Sequence, residues 1–148
     1  MESEQQKKSS GKGLDIGTAF LVCAEKVGND VVFRSERNAF FEVEKNDFTK
    51  NMLDSSKVKY IIREDKLYVV GDEALEFANI FNKDTRRPLS NGVISPKEKE
   101  ALPMVELLIK TLLGQPSSEG EVVYYSVPGE PLDANFNVIY HERILNEF

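Results

Sequence analysis

An α/β fold, a mixed sheet flanked by helices, is what this 148-residue sequence predicts. Three observations carry that reading. Short β-branched and aromatic runs bounded by turn residues fill the first half. Leu102, Val105, Leu108, Ile109 and Leu112 form one apolar stripe at the spacings of a helix face. Between that stripe and a final amphipathic pattern, residues 121–127 form an apolar run without clean alternation, as expected of a strand buried on both faces. With 41% hydrophobic and 30% charged residues, the composition is that of a soluble globular protein, and the length suits one ordinary domain.

Taken in order, residues 1–12 are polar and mixed in charge and read as a disordered leader, with order expected from Gly13. Residues 13–26 read as a strand pair. After Gly28-Asn29-Asp30 a third strand, Val31-Val32-Phe33-Arg34-Ser35, completes a meander that Phe40-Phe41-Glu42-Val43 continues. Residues 44–56 read as a loop or a small peripheral element. Val58-Lys59-Tyr60-Ile61-Ile62 and Lys66-Leu67-Tyr68-Val69-Val70, joined by Arg63-Glu64-Asp65, have the spacing of a hairpin that Gly71 ends.

Asp72 is placed as N-cap of a short helix through about Phe81, with Glu73 in its first turn. Residues 82–91 read as a loop closing on Asn91-Gly92. Ser95 as N-cap, Pro96 at the first helical position and Glu98 completing a capping box open the helix that carries the apolar stripe. Pro103 is expected to kink it or divide off a short turn, and Gly114 to stop it. Residues 115–120 form a surface loop, and Pro128-Gly129-Glu130-Pro131 breaks the following strand. Phe136, Ile139, Tyr140, Ile144, Leu145 and Phe148 line one side of a last helix. The sequence stops inside that pattern, which reads as a chain cut short.

The stretch with chemistry is Gly13-Leu14-Asp15-Ile16-Gly17-Thr18-Ala19. It reads as a strand that reaches Asp15, turns tightly at Gly17-Thr18 and returns as a strand, with no helix between. Such a tip aims backbone N–H groups in one direction. Gly17 permits close approach, Thr18 adds a hydroxyl, and Asp15 can hold a hydrated Mg²⁺ beside bound phosphate oxygens. An ordinary β-turn uses the same residue types for local backbone reasons.

The other candidates read as structural. Asp72-Glu73 is a helix cap and first-turn acid before it is a metal pair. His141, the single histidine, is a surface or helix-packing residue without a nucleophile beside it. Arg86-Arg87 is solvated, Tyr124-Tyr125 is core or core edge, and Cys23 is a buried small hydrophobe in a chain with no disulfide or Cys/His metal framework. A net charge of -6 argues against a nucleic-acid or anionic-membrane partner. With no signal-peptide pattern and no run near ~18 apolar residues, no transmembrane segment is expected and the location read is cytoplasmic.

The order of elements and four motifs resemble the actin, Hsp70 and sugar kinase superfamily, whose domains are ribonuclease H-like. Leu14-Asp15-Ile16-Gly17-Thr18 is similar to its first phosphate motif. Tyr68-Val69-Val70-Gly71-Asp72-Glu73-Ala74 and Arg87-Pro88-Leu89-Ser90-Asn91-Gly92-Val93-Ile94 resemble segments of bacterial actin homologues, and Val127-Pro128-Gly129 falls where those proteins end a core strand. The nearest similarity is to bacterial actin-like filament proteins of the cell-shape and magnetosome-filament type. The resemblance implies that residues 13–148 are the N-terminal part of an actin-like nucleotide-binding domain, its first subdomain, with a small insertion at about residues 38–81.

By the same resemblance, Asp15 binds or orients Mg²⁺ while Gly17, Thr18 and Ala19 contact the phosphates of ATP. Assembly into filaments would follow Mg·ATP binding, and disassembly would follow hydrolysis. Phe20 departs from the polar residue that relatives often carry after this motif. The family's catalytic residue, second phosphate loop and adenosine pocket would lie beyond Phe148, so the resemblance implies no catalytic residue here and no ATP hydrolysis by this chain alone. Two alternatives stay open: another superfamily member, such as a chaperone-like ATPase, a small-molecule kinase or a pilus or division adaptor, or a non-enzymatic module that binds a longer homologous subunit. A sheet cut through its centre would also self-associate through its exposed edge.

Overall fold

The computed structural model describes residues 11–127 and 138–148. Its first sheet begins with β1 (Gly11–Ile16), β2 (Phe20–Val27) and β3 (Asp30–Arg37), an antiparallel meander. The β2–β3 turn uses Gly28 at φ 63°, the first-position glycine that a tight hairpin needs to follow the strand twist. Strand β9 (Val122–Tyr125) adds to β1 in parallel, giving the order β3-β2-β1-β9 and making the sheet mixed.

Order starts earlier than the sequence reading has it. Gly11 and Lys12 belong to β1, because Lys12 is only 3% exposed and its ammonium donates to the Leu113 and Gln115 carbonyls and pairs with Glu121 at 3.1 Å. Those carbonyls stand at the end of the long helix, where a cation is favoured. The rest of the expected leader lies outside the described residues.

The meander ends at Arg37. The Ala39 N–H bonds back to the Arg37 carbonyl at 2.9 Å, a three-residue turn that redirects the chain. β4 (Phe40–Glu44) therefore joins a second sheet, of order β4-β6-β5, with β6 (Lys66–Val70) and β5 (Tyr60–Arg63), and does not continue the first. Glu64 and Asp65 both take left-handed conformations in the two-residue β5–β6 turn.

Residues 44–56, expected as a loop or small element, contain helix α1 (Asp47–Ser55), opened by a reciprocal capping box between Asn46 and Thr49. Helix α2 (Asp72–Ile80) has Gly71, not Asp72, as its N-cap. The chain enters at φ 79°, ψ −150°, a conformation open essentially to glycine alone, which displaces the cap by one residue.

β7 (Leu89–Ser90) and β8 (Val93–Ile94) form a small hairpin around Asn91-Gly92. Helix α3 (Ala101–Leu113) starts later than its sequence signals suggest, with Glu100 as N-cap. The Ser95 N–H is bonded to the Pro88 carbonyl, and residues between Ser95 and Ala101 turn without joining the helix. Pro103 then falls in the first helical turn, where its missing N–H has no intrahelical acceptor to lose, so no break is needed. Gly114 ends α3 at φ 67°.

The core follows from strand alternation. Leu14, Ile16, Leu21 and Cys23 project from one face of the first sheet onto Met104, Val105, Leu108 and Leu112 of α3. The second sheet is covered on both sides: Phe40, Tyr68 and Val70 enter that same cluster, while Phe41, Val43, Leu67 and Val69 pack on Leu53 of α1 and Ala74 and Phe77 of α2. The second sheet thus serves both clusters and joins α1 and α2 to the main core.

Helix α4 (Val138–Leu145) returns across β8 and α3, burying His141 and Leu145, while Phe148, 41% exposed, lines an apolar groove with Leu145, Ile16 and Ile109, on the side expected for it. Strand β9, expected to be buried on both faces, is an edge among the described residues, with Val122, Val123 and Tyr124 exposed. The Pro128–Pro131 break and Phe136 lie outside the described residues. No described helix is long and apolar enough to cross a membrane.

Candidate functional site

β1 and β2 pair from Lys12↔Glu25 to Ile16↔Leu21, so the chain reverses over residues 17–20. The Gly17 N–H donates to the Phe20 carbonyl at 2.9 Å and closes the tip. A Cβ on Gly17 would stand 2.8 Å from that carbonyl oxygen, so glycine is demanded here by space; its φ is not left-handed. Thr18 presses its hydroxyl against the β7–β8 hairpin, where Oγ1 accepts from the Gly92 N–H at 2.7 Å. The hydroxyl hydrogen stays available to donate. Ala19 is exposed, and its carbonyl accepts from the Asn38 N–H at 2.9 Å.

Asp15 is exposed two residues before the tip, on the sheet face away from α3. There it lines an open groove of about 440 Å³ with Gly13, Val22, Ala24, Phe33 and Tyr124. Asp15, Gly17, Thr18 and Ala19 are therefore contiguous at one end of the first sheet. Among the described residues, no group of three or more His, Cys, Asp or Glu is arranged to hold a metal ion. A Mg²⁺ ion here would draw its ligands mainly from water and phosphate oxygens, and a single exposed carboxylate such as Asp15 suits that coordination.

Other polar groups belong to the scaffold. Asp72 pairs with Arg37 at 3.4 Å at the start of α2. Glu36 approaches the Asp72 N–H at 3.4 Å, and partial burial, reinforced by the neighbouring Glu73 and Asp72 carboxylates, pushes its pKa up against that hydrogen bond. Arg86, expected to be solvated, pairs with Glu42 at 2.9 Å and Glu98 at 3.4 Å, and its guanidinium lies 4.7 Å from the Phe40 ring centroid. The hydrogen bond from Lys66, with Arg86 beside it, holds the Glu42 carboxyl below its ordinary range. Tyr124 is 69% exposed on the edge strand, so it is not core; Tyr125 packs at the core's margin, and Cys23 is buried as expected. His141 is fully buried, and its Nδ1 accepts from the Ile94 N–H at 3.1 Å.

Two residues of the tip were not found from the sequence. Asn38 is fully buried and donates through Nδ2 to the Gly17 carbonyl at 2.8 Å. Gly92 supplies the partner of Thr18. The Asn91-Gly92 pair between Leu89-Ser90 and Val93-Ile94 carries a hairpin signal, and both residues are left-handed, at φ 51° and 82°. Nothing in the sequence ties that hairpin to Thr18, 74 positions earlier.

The fold is shared with solved actin-like filament structures. A MamK double helical filament matches with a TM-score of 0.61 and 20% identity over 93% of this chain. A non-polymerising MamK mutant bound to AMPPNP matches with a TM-score of 0.57 and 19% identity over 94% of it. The chain spans 36% and 38% of the lengths of those two proteins. At this identity the likeness concerns the fold, which is actin-like. No curated protein matches the sequence. The family model described as Volactin matches residues 11–148, from the first residue of β1 onward, and the chain belongs to the Volactin family.

Proposed function

We propose that this chain is the N-terminal part of an actin-like, ATP-binding filament protein, its first subdomain carrying an insertion at about residues 38–81, and that the β1–β2 tip holds the nucleotide's phosphates. The observation that carries the reading is the tip itself: a glycine with no room for a Cβ, a threonine hydroxyl and an exposed carboxylate, contiguous at the end of β1. Support comes from the fold shared with MamK, which has been seen as a filament and, as a mutant, with AMPPNP. In this reading Gly17, Thr18 and Ala19 offer backbone and hydroxyl contacts to phosphate oxygens, and Asp15 orients hydrated Mg²⁺. A bound Mg²⁺ would supply charge neutralisation between the phosphates. Filament formation by self-association is the partner class, and the cytoplasm the location that goes with it.

Equilibrium titration of the whole protein with Mg·AMPPNP tests this, with light scattering on addition of Mg·ATP as the assembly readout. Binding that weakens with Asp15→Asn and is abolished by Gly17→Val supports the site. Wild-type affinity in a folded Gly17→Val variant moves the nucleotide elsewhere. Nucleotide binding without scattering or filaments in electron micrographs would favour a superfamily member that does not polymerise.

A further inference from the structure

We propose that Asn38 is the positioning residue of the hairpin tip, turning the Gly17 and Ala19 carbonyls inward so that the Thr18 N–H faces outward toward a phosphate-class anion. The ligand rests on the nucleotide reading above; the geometry rests on hydrogen bonds alone. Asn38 sits fully buried where β3 gives way to β4. Its Nδ2 donates to the Gly17 carbonyl at 2.8 Å and its backbone N–H to the Ala19 carbonyl at 2.9 Å. In a trans peptide the carbonyl and the following N–H point to opposite sides, and the described chain has no cis bond. Drawing the Gly17 carbonyl toward Asn38 therefore sends the Thr18 N–H away from the interior. That N–H has no backbone acceptor among the described residues.

The amide orientation is fixed, since exchanging Nδ2 and Oδ1 would set two acceptors together. Oδ1 is itself buried without a hydrogen-bond partner. A residue serving only to fill space would not strand an acceptor there, so the donor is what the position uses. The junction is also anchored from behind. The Ala39 carbonyl accepts from the Gly71 N–H at 2.9 Å, and the Phe40 N–H and carbonyl both bond to Arg86. The tip is thereby organised before any ligand arrives, which lowers the ordering cost of binding.

Asn38→Leu keeps the branched outline, with some added bulk, and removes the donor; Asn38→Asp keeps the shape and puts an acceptor in place of the donor. The test compares ¹H–¹⁵N spectra and amide exchange of residues 17–19 in the ligand-free whole protein, then affinity for Mg·AMPPNP. We expect shifted, faster-exchanging tip amides with β1 and α3 unchanged, and roughly tenfold weaker binding by the folded variants. Unmoved tip amides in a folded variant, or wild-type affinity accompanied only by a lower melting temperature, would overturn the proposal. If the wild-type protein binds no Mg·AMPPNP, the nucleotide reading falls, and the ligand-free spectra decide the role of Asn38 by themselves.

Discussion

The Gly92 N–H meets Thr18 Oγ1 at 2.7 Å, joining the turn of one hairpin to the turn of another across 74 positions of sequence. Each turn is short and self-closed, so this bond fixes where they stand relative to each other. Thr18→Val keeps the branched shape but leaves the Gly92 donor without its partner. Because the contact is only partly buried, we expect a loss of about 1 kcal/mol in denaturant unfolding, largely restored by Thr18→Ser. If Thr18→Val unfolds at the wild-type midpoint, water has replaced the bond and it fixes nothing.

Gly71 enters α2 at φ 79°, and a Cβ there would stand 2.3 Å from Glu36 Oε2. Gly71→Ala therefore meets two separate obstacles, backbone strain and a carboxylate in the way. We expect a cost of about 1–3 kcal/mol from the backbone conformation, with a smaller addition because the Glu36 carboxylate, the far end of a flexible side chain, must swing aside. Glu36→Ala removes the collision together with the Glu36 acceptor of the Asp72 N–H, so, measured from that single variant, the added Gly71→Ala should cost less than it does in the wild type but not nothing. A double-mutant cycle in which it costs nothing there would mean that φ contributes nothing.

The sequence made the strand pairs, the apolar stripe of α3 and the Asp15–Ala19 turn legible, because each depends on residues close together in the chain. Errors cluster where a tertiary contact overrode a local signal. Ser95-Pro96-x-Glu98 has the letters of a helix start, but the Ser95 N–H is committed to Pro88 across the β7–β8 hairpin, and α3 waits until Ala101. Lys12 looked like leader because a lysine in a polar run normally stays in water; the α3 C-terminus and Glu121 hold it inside. Asn38 was invisible for the same reason: nothing local marks a residue whose partners are Gly17 and Ala19.

Arg86 combines ion pairs to Glu42 and Glu98 with a stack on Phe40, so its planar head does more than its charge alone. Arg86→Lys retains the charge and loses the stack and the fork. The pairs are only partly buried and worth little individually, so a fall of about 1 kcal/mol is expected, mostly insensitive to added salt. A loss that vanishes in high salt would assign the effect to the ion pairs and not to the ring.

His141 gives the fold a pH dependence whose sign can be worked out. Burial pushes its pKa below the ordinary value of 6.5, with no charged neighbour contributing. The inward residues of α3, including Met104, Val105 and Leu108, and Val93 and Ile94 of β8 do not titrate, while Glu142 and Arg143 on α4 itself are exposed. Neutral imidazole with Nδ1 accepting from Ile94 carries its proton on Nε2; a second proton would meet the Ile94 N–H head-on. The unfolded chain therefore takes up the proton first as pH falls. The contribution is fully present above about pH 6.5 and is lost on acidification through the lower folded-state value, at no more than about 1.4 kcal/mol per pH unit. Comparing melting temperatures of wild type and His141→Gln from pH 8 to pH 5 isolates it: Gln can still accept from Ile94 but does not titrate. The wild type should lose stability faster below pH 6.5, with α4 the first helix to lose amide protection, and parallel curves would remove His141 as the source.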